Sequence, residues 1–135
     1  MKNCIFCKIL TGEIPSEKIY EDQKTYVFLD ASPIAIGHML VIPKKHYETM
    51  DEMDPKTANA VIKTTQKIGR TILKFNKGYN VNQNNKPTAG QVVPHVHYHL
   101  IPRNNNDDLK FSWKNIKFDK KYFQETKTKI QKFLK

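Results

Sequence analysis

Hydrophobic residues change period several times along the chain, and each change marks an element. From Cys4 to Leu10, the apolar Ile5, Phe6, Ile9 and Leu10 fall at helical spacing, and Thr11-Gly12 supplies a residue suited to a left-handed cap, so a short helix is predicted. Thr25 to Leu29 and Met39 to Ile42 are rich in β-branched and aromatic residues and are separated by Ser32-Pro33 and Gly37, which predicts a hairpin. Asp54-Pro55 places an N-cap carboxylate before a proline at the first helical position. Val61, Ile62, Ile68, Ile72 and Phe75 then recur at about the helical period up to Gly78, forming one long helix. Tyr79 to Asn84 and Pro94 to Ile101 read as two further strands, and Asp119 to Leu134 as a final amphipathic helix carrying Tyr122, Phe123, Ile130, Phe133 and Leu134. Strands before and after one long helix predict an α+β domain on an antiparallel sheet.

With 135 residues, 39% of them hydrophobic, the chain has the size of one domain able to bury a core, so residues 1–135 are expected to form a single domain. The polar cluster Asn104-Asn105-Asn106-Asp107-Asp108 reads as a loop, and residues 104–135 as a C-terminal extension packed on the same domain. Met1-Lys2-Asn3-Cys4 lacks the apolar run of a signal peptide and no stretch approaches a membrane span, so a soluble, cytoplasmic protein with no membrane partner is expected.

Charge adds one constraint. Twenty-three basic residues against thirteen acidic give a formal charge of +10, which favours an anionic ligand such as a phosphate. Arg70 and Arg103 are the only arginines, so the guanidinium forks that read bases are nearly absent, and nucleic acid is not the expected partner.

The chemistry concentrates in Pro94-His95-Val96-His97-Tyr98-His99-Leu100-Ile101-Pro102-Arg103. Three histidines at alternate positions of a strand project from one face, about 7 Å apart, close enough for two of them to touch one phosphate or one metal ion. Val96, Tyr98 and Leu100 take the opposite face. A lone histidine often just fills a half-buried strand; three in strict alternation point to a site.

The His-x-His-x-His run followed by apolar residues and Pro-Arg resembles the signature of the histidine-triad (HIT) family. Cys4-Ile5-Phe6-Cys7-Lys8-Ile9, Glu13-Ile14-Pro15, Phe28-Leu29-Asp30, Gly37-His38-Met39-Leu40-Val41-Ile42-Pro43-Lys44 and Ala89-Gly90-Gln91 resemble further family blocks in the family's order, so the resemblance covers residues 4–103. It implies a five-stranded antiparallel sheet with a long helix, paired in a homodimer so that the sheets join, and hydrolysis of purine nucleoside 5'-phosphate derivatives. It also implies that His97 is the nucleophile forming a nucleotidyl-histidine, that His99 contacts the phosphate and assists the leaving group, and that His38 stands beside the triad. For His38 the plain alternative is an ordinary residue at the start of a strand. A neutral imidazole is a competent nucleophile near pH 7 if one nitrogen holds the proton, and a backbone carbonyl or His38 could fix that tautomer. Asp30 matches the acidic residue that accepts from ribose hydroxyls. Asn84 and Gln91 match polar positions near the phosphate, where uncharged donors stabilise developing charge. Phe6, Ile9, Ile14 and Phe28 fall where a base pocket would be lined, though core packing accounts for them equally well.

All seven cysteines and histidines can be placed: His38, His97 and His99 for catalysis, and Cys4, Cys7, His46 and His95 for a metal. C-x-x-C brings two thiolates to one ion, and two imidazoles complete the Cys2His2 set that structural zinc prefers. The separation of His46 from His95 is not that of a zinc finger; the resemblance to microbial family members that carry zinc at matching positions strengthens the assignment. The rival is that both cysteines are free or oxidised and His95 only hydrogen-bonds within the triad.

Two positions depart from the family pattern. Val92 stands where the phosphoramidase branch commonly has Ser, a hydroxyl that can help protonate an amine. Lys86-Pro87 occupies a loop that often contains glycine, and a lysine there could contact a longer polyphosphate. Three functions are therefore weighed: a phosphoramidate or acyl-nucleotide hydrolase, a dinucleoside polyphosphate hydrolase, and a nucleotide-binding or interaction protein with little turnover.

Overall fold

The computed structural model describes residues 3 to 134. The elements are α1 (Ile5–Leu10), β1 (Lys18–Glu21), β2 (Thr25–Leu29), β3 (Met39–Pro43), α2 (Pro55–Ile72), β4 (Gly78–Gln83), β5 (Tyr98–Arg103) and α3 (Lys120–Phe133), with single 3-10 turns at Met50–Glu52 and Pro87–Ala89. The five strands form one antiparallel sheet in the order β1-β2-β3-β5-β4, so the expected α+β architecture with five strands holds.

Alternation along the strands sorts the sheet into two faces. Val27, Met39, Val41, Tyr98 and Leu100 point to α2 and pack with its Val61, Ile68 and Ile72. Val27, Val41, Val61, Ile72 and Leu100 are wholly buried, each contributing about 1.5–3 kcal/mol of transfer free energy. The intervening residues Tyr26, Phe28, Leu40 and Ile42 face the other way and pack with Cys4, Phe6 and Ile9 around α1. β3 pairs with β5 so that Leu40 lies opposite His99, and β4 sets Asn82 against the same histidine. The histidine side of the sheet is therefore the side that α1 covers.

The predicted caps are in place. Asp54 accepts from the Thr57 amide at 2.8 Å and Pro55 opens α2, while Gly12, at φ 79°, takes the left-handed turn after α1. One strand went unpredicted and three expectations need correction. The edge strand β1 carries no clear period, since only Tyr20 of Lys18–Glu21 is even partly buried. The strand of the histidine run begins at Tyr98 and not at Pro94, because residues 93–95 bend around a proline that has no N–H to pair. α2 ends at Ile72, and 3-10-type bonds from Lys74 and Phe75 turn the chain so that Lys77 can reach the Arg103 carbonyl; Phe75 is 69% exposed and Ile62 45% exposed, outside the core.

The third correction concerns the C-terminal extension. Arg103 ties down its first residues through Asp107 at 2.7 Å, the Leu109 carbonyl and the Phe111 ring. Beyond these the chain leaves the sheet. None of α3 is buried, and Tyr122, Phe123, Ile130 and Phe133 stay exposed on one side of that helix. The extension is amphipathic as predicted but does not pack its apolar face on the domain.

Candidate active site and metal centre

The approach to β5, β5 itself and the chain before β3 bring four of the five histidines of the two sets into one row. Ring centroids of His97 and His99 lie 5.0 Å apart, and those of His38 and His99 5.1 Å apart. Phe6 from α1 packs edge-on against both His95 (5.8 Å) and His97 (5.1 Å). His97 precedes the sheet ladder, yet the alternation holds there, since Val96 and Tyr98 both pack into the α2 core.

Hydrogen bonds assign the tautomers. His97 Nδ1 lies 2.7 Å from the His95 carbonyl oxygen, which can only accept; Nδ1 therefore carries the proton and Nε2 presents a lone pair. A main-chain carbonyl, not His38, orients the middle histidine. His38 works on the third one. The Ile34 amide donates to His38 Nδ1 at 3.2 Å, so His38 Nε2 holds a proton and donates it to His99 Nδ1 at 2.9 Å. His99 is left with its proton on Nε2. The row thus offers one lone pair, on His97, beside one N–H donor, on His99.

Burial keeps these rings neutral. It lowers the pKa of His97 and of His38, with Asp30 opposing the shift in each. His99 is pushed down to about 4 by burial, reinforced by His97 and His38. Asp30 holds the Ser32 amide with Oδ1 at 2.8 Å and places Oδ2 3.4 Å from His38 Nε2. The carboxylate thus sits beside the histidine pair.

The remaining site residues divide. Phe6, Ile9 and Phe28 are buried and Ile14 half-buried, all in the cluster on the histidine side of the sheet. Asn84 directs its amide to the Gly90 carbonyl at 3.4 Å. Gln91 is buried with both amide atoms engaged: Oε1 accepts from Lys86 N at 2.7 Å and Nε2 donates to the Glu48 carbonyl at 2.7 Å. Gln91 therefore holds the loop beside the site, with one N–H of its amide engaged by the Glu48 carbonyl. Lys86 itself is paired with Glu48 at 3.2 Å and adopts φ 75°, a conformation that suits glycine. The Pro43 and Glu48 carbonyls belong to this machinery too; being main-chain atoms, they leave no trace in residue identity.

Cys4, Cys7, His46 and His95 converge at the far end of the row, their donor atoms all within 4.8 Å of one another. Cys4 Sγ lies 3.4 Å from His95 Nδ1 and Cys7 Sγ lies 3.4 Å from His46 Nδ1. The cross distance from Cys7 Sγ to His95 Nδ1 is 3.7 Å, and the two Nδ1 atoms are 3.2 Å apart. A tetrahedral zinc site with metal–nitrogen bonds of about 2.0–2.1 Å and metal–sulfur bonds of about 2.3 Å has N–N edges of about 3.4 Å and N–S edges of about 3.5 Å. The donors fit that figure. His95 also donates Nε2–H to the Pro43 carbonyl at 2.9 Å, the outer bond that orients a metal-binding imidazole. No disulfide joins the cysteines. A second group, Asp30, His38 and His99, also converges, but both nitrogens of His38 and Nδ1 of His99 are committed to the bonds above.

The model of the HIT domain matches residues 11–106. Over 120 residues the chain is 47% identical to an uncharacterised HIT-like protein of Methanocaldococcus jannaschii, covering 86% of this chain and 93% of that one. Over 108 residues it is 45% identical to an adenosine 5'-monophosphoramidase of Candida albicans, covering 75% and 70%. Among solved structures, a HIT family member from Bacillus subtilis superposes with a TM-score of 0.90 at 40% identity over 98% of both chains. A zinc-bound histidine triad family protein from Mycobacterium smegmatis superposes with a TM-score of 0.77 at 35% identity over 84% of both. With the HIT motif, fold and family model in agreement, the chain belongs to the HIT family.

Proposed function

We propose that the protein is a nucleotide hydrolase that cleaves adenosine-type nucleoside 5'-phosphate derivatives, phosphoramidates or acyl-nucleotides, at the α-phosphate. The observation that carries this is the fixed tautomer pair, a lone pair on His97 Nε2 beside a proton on His99 Nε2. His97 Nε2 attacks phosphorus, and the bond from phosphorus to the leaving group breaks as the Nε2–P bond forms. Positive charge that develops on the His97 ring is met at Nδ1–H by the His95 carbonyl. The His99 N–H hydrogen-bonds the phosphoryl oxygen or the departing atom, supplying a donor set before the reaction begins. Water then displaces His97 from phosphorus, releasing the nucleoside monophosphate; over the two steps one water is consumed and one of its protons ends on the leaving group.

Asp30 accepts from the ribose hydroxyls, and the base lies against the wall of Phe6, Ile9, Ile14 and Phe28, where Ile14 is the half-exposed member. Asn84 lies at the rim of the phosphate site, and Gln91 serves it by holding the Lys86–Gln91 loop. Because the Lys86 ammonium is already paired with Glu48, a mononucleotide derivative is favoured over a dinucleoside polyphosphate. The name of the Candida relative supports the same substrate class.

Cys4, Cys7, His46 and His95 bind zinc in this reading. With four protein donors the site is closed, which makes the ion structural; it supplies cross-linking and no reaction chemistry. A second copy of the chain would extend the sheet at one of its open edges, β1 or β4; light scattering gives the mass that tells a dimer from a monomer. No helix among the described residues is long and apolar enough to cross a membrane, and we place the protein in the cytoplasm.

Intact-mass analysis after a non-acidic quench, with adenosine 5'-phosphoramidate and diadenosine tetraphosphate as substrates, tests the reaction. A nucleotidyl adduct that disappears in His97→Ala is expected, with faster turnover of the phosphoramidate. Unchanged turnover in His97→Ala would refute the mechanism.

A further inference from the structure

Apart from the cysteines, Tyr26 is the one member of the apolar cluster on the histidine side of the sheet whose side chain ends in a polar atom. It is buried, and its hydroxyl lies 2.9 Å from the hydroxyl of Ser16. Among the described residues neither hydroxyl has a second partner. Two hydroxyls hold two O–H groups and spend one on their mutual bond, so the pair keeps one donor and free lone pairs. Ser16 is half-buried, which leaves the pair open to a ligand.

The surroundings of the pair define that ligand. Tyr26, Phe28 and Asp30 alternate along β2 and its end, and they share the face that looks toward the histidines. Ser16 directly precedes Glu17, whose carbonyl accepts from Leu29 N at 3.0 Å, so Ser16 stands beside the Asp30 end of the strand. To reach it, Tyr26 leans back past Phe28, with ring centroids 5.8 Å apart. Phe28 in turn packs edge-on against Phe6 at 5.6 Å, and Phe6 against His97 at 5.1 Å. Ile14, the half-buried member of the wall, is two residues before Ser16. A hydroxyl pair thus closes the apolar wall at the end away from the nucleophile.

We propose that Ser16 and Tyr26 read the polar edge of the base, so that the site selects a purine with a hydrogen-bonding group at C6 over one without. This rests on the reading of His97 and Asp30 as the phosphate and ribose ends of the site. With phosphorus at His97 and ribose at Asp30, a base lying on Phe6 and Phe28 turns its edge toward the pair. The exocyclic amino group of adenine donates to one hydroxyl oxygen, and the unspent O–H donates to N1. A purine bare at C6 leaves the hydroxyl acceptor without its partner, which costs binding. Stacking on an apolar wall cannot make that distinction, since both purines offer a similar face.

The test compares the 5'-phosphoramidates of adenosine and of purine riboside, which lacks the 6-amino group, on the whole chain as wild type, Tyr26→Phe and Ser16→Ala. Wild type is expected to favour adenosine by about 3- to 10-fold in kcat/KM, the worth of one neutral hydrogen bond, with the difference carried by KM. Tyr26→Phe keeps the ring and loses only the hydroxyl, and Ser16→Ala loses only the other one. Each should bring the ratio of the two substrates to about one. A packing defect would slow both substrates alike and preserve the ratio. A wild type without preference, or a preference that survives in either variant, therefore overturns the proposal. If wild type turns over neither substrate, the hydrolase reading has failed, and the ratio is read from the calorimetric Kd of adenosine and purine riboside 5'-monophosphates. A wild-type ratio of one there, or one that the variants leave unchanged, overturns the base reading as well.

Discussion

His38 Nε2 lies 2.9 Å from His99 Nδ1, and because the Ile34 amide occupies the other His38 nitrogen, the proton between the two rings belongs to His38. A residue far from the triad in sequence thus determines which nitrogen of His99 carries its proton. His38→Phe removes that donor and frees His99 to hold its proton on the wrong side. A loss of kcat on the order of 100-fold with little change in KM is expected. His38→Gln, whose amide can still donate to His99, retains most of the rate. Steady-state kinetics of the two variants check the direction of the bond; equal losses in both would contradict it.

Gly69 in α2 lies where the Tyr79 hydroxyl and ring crowd the space a Cβ would fill. Gly69→Ala therefore forces Tyr79 away from the α2 face of the sheet, in spite of alanine's better helix propensity. Overpacking of this kind costs about 1–3 kcal/mol. The denaturant midpoint should fall, and Gly69→Ala combined with Tyr79→Leu should recover part of the loss.

Lys86 sits at φ 75° and ψ 151°, held there by the Gln91 side chain on its amide. A non-glycine residue in that region stores about 1–3 kcal/mol of backbone strain, whereas its exposed pair with Glu48 contributes at most about 1 kcal/mol. Lys86→Gly is expected to stabilise the protein by about 1 kcal/mol, and Lys86→Ala, which keeps the strain and loses the pair, to gain nothing. Urea unfolding of both variants measures the difference.

Asp54 caps α2 and receives the Tyr47 hydroxyl at 2.5 Å. The Tyr47 hydrogen bond first, then the Thr57 amide, lower its pKa from 3.8 to about 2. A depressed carboxyl contributes stability that is complete above the unfolded pKa and is lost as pH falls through the folded one. The Asp54 contribution therefore disappears between about pH 4 and about pH 2. Asp54→Asn keeps a capping oxygen but does not titrate. Its urea midpoint should lie below that of wild type at pH 5, and the gap should narrow on acidification across that window.

What the sequence made readable depended on whether side chains or the main chain carried the information. Alternation of His95, His97 and His99, the Asp54-Pro55 cap and the hairpin of β2 and β3 are side-chain patterns, and they are found in the structure. The Cys4, Cys7, His46 and His95 cluster was legible from ligand type together with the family resemblance, even though its members come from the start of α1, the loop after β3 and the bend before β5. β1 was missed because an edge strand with one half-buried residue has no period to detect. The end of α2 was misplaced because Phe75 fits the helical period, while the chain must turn at Ile72 to pair β4 with β5. α3 has the stripe of a helix that packs, and a stripe does not tell what it packs on. That Gln91 also holds the Lys86–Gln91 loop is visible only from its partners, Lys86 N and Glu48 O.

The two atoms that settle the protonation of the histidine row, the Ile34 amide and the His95 carbonyl, are both peptide atoms. An alanine scan would pass over Ile34 without registering its part, since every replacement except proline restores the same N–H. At position 95 the scan would report only the loss of an imidazole and never the carbonyl beneath it. Drift in side chains at such places is chemically silent. Selection there acts on the path of the backbone, and the durable part of this site is a shape that many sequences could write.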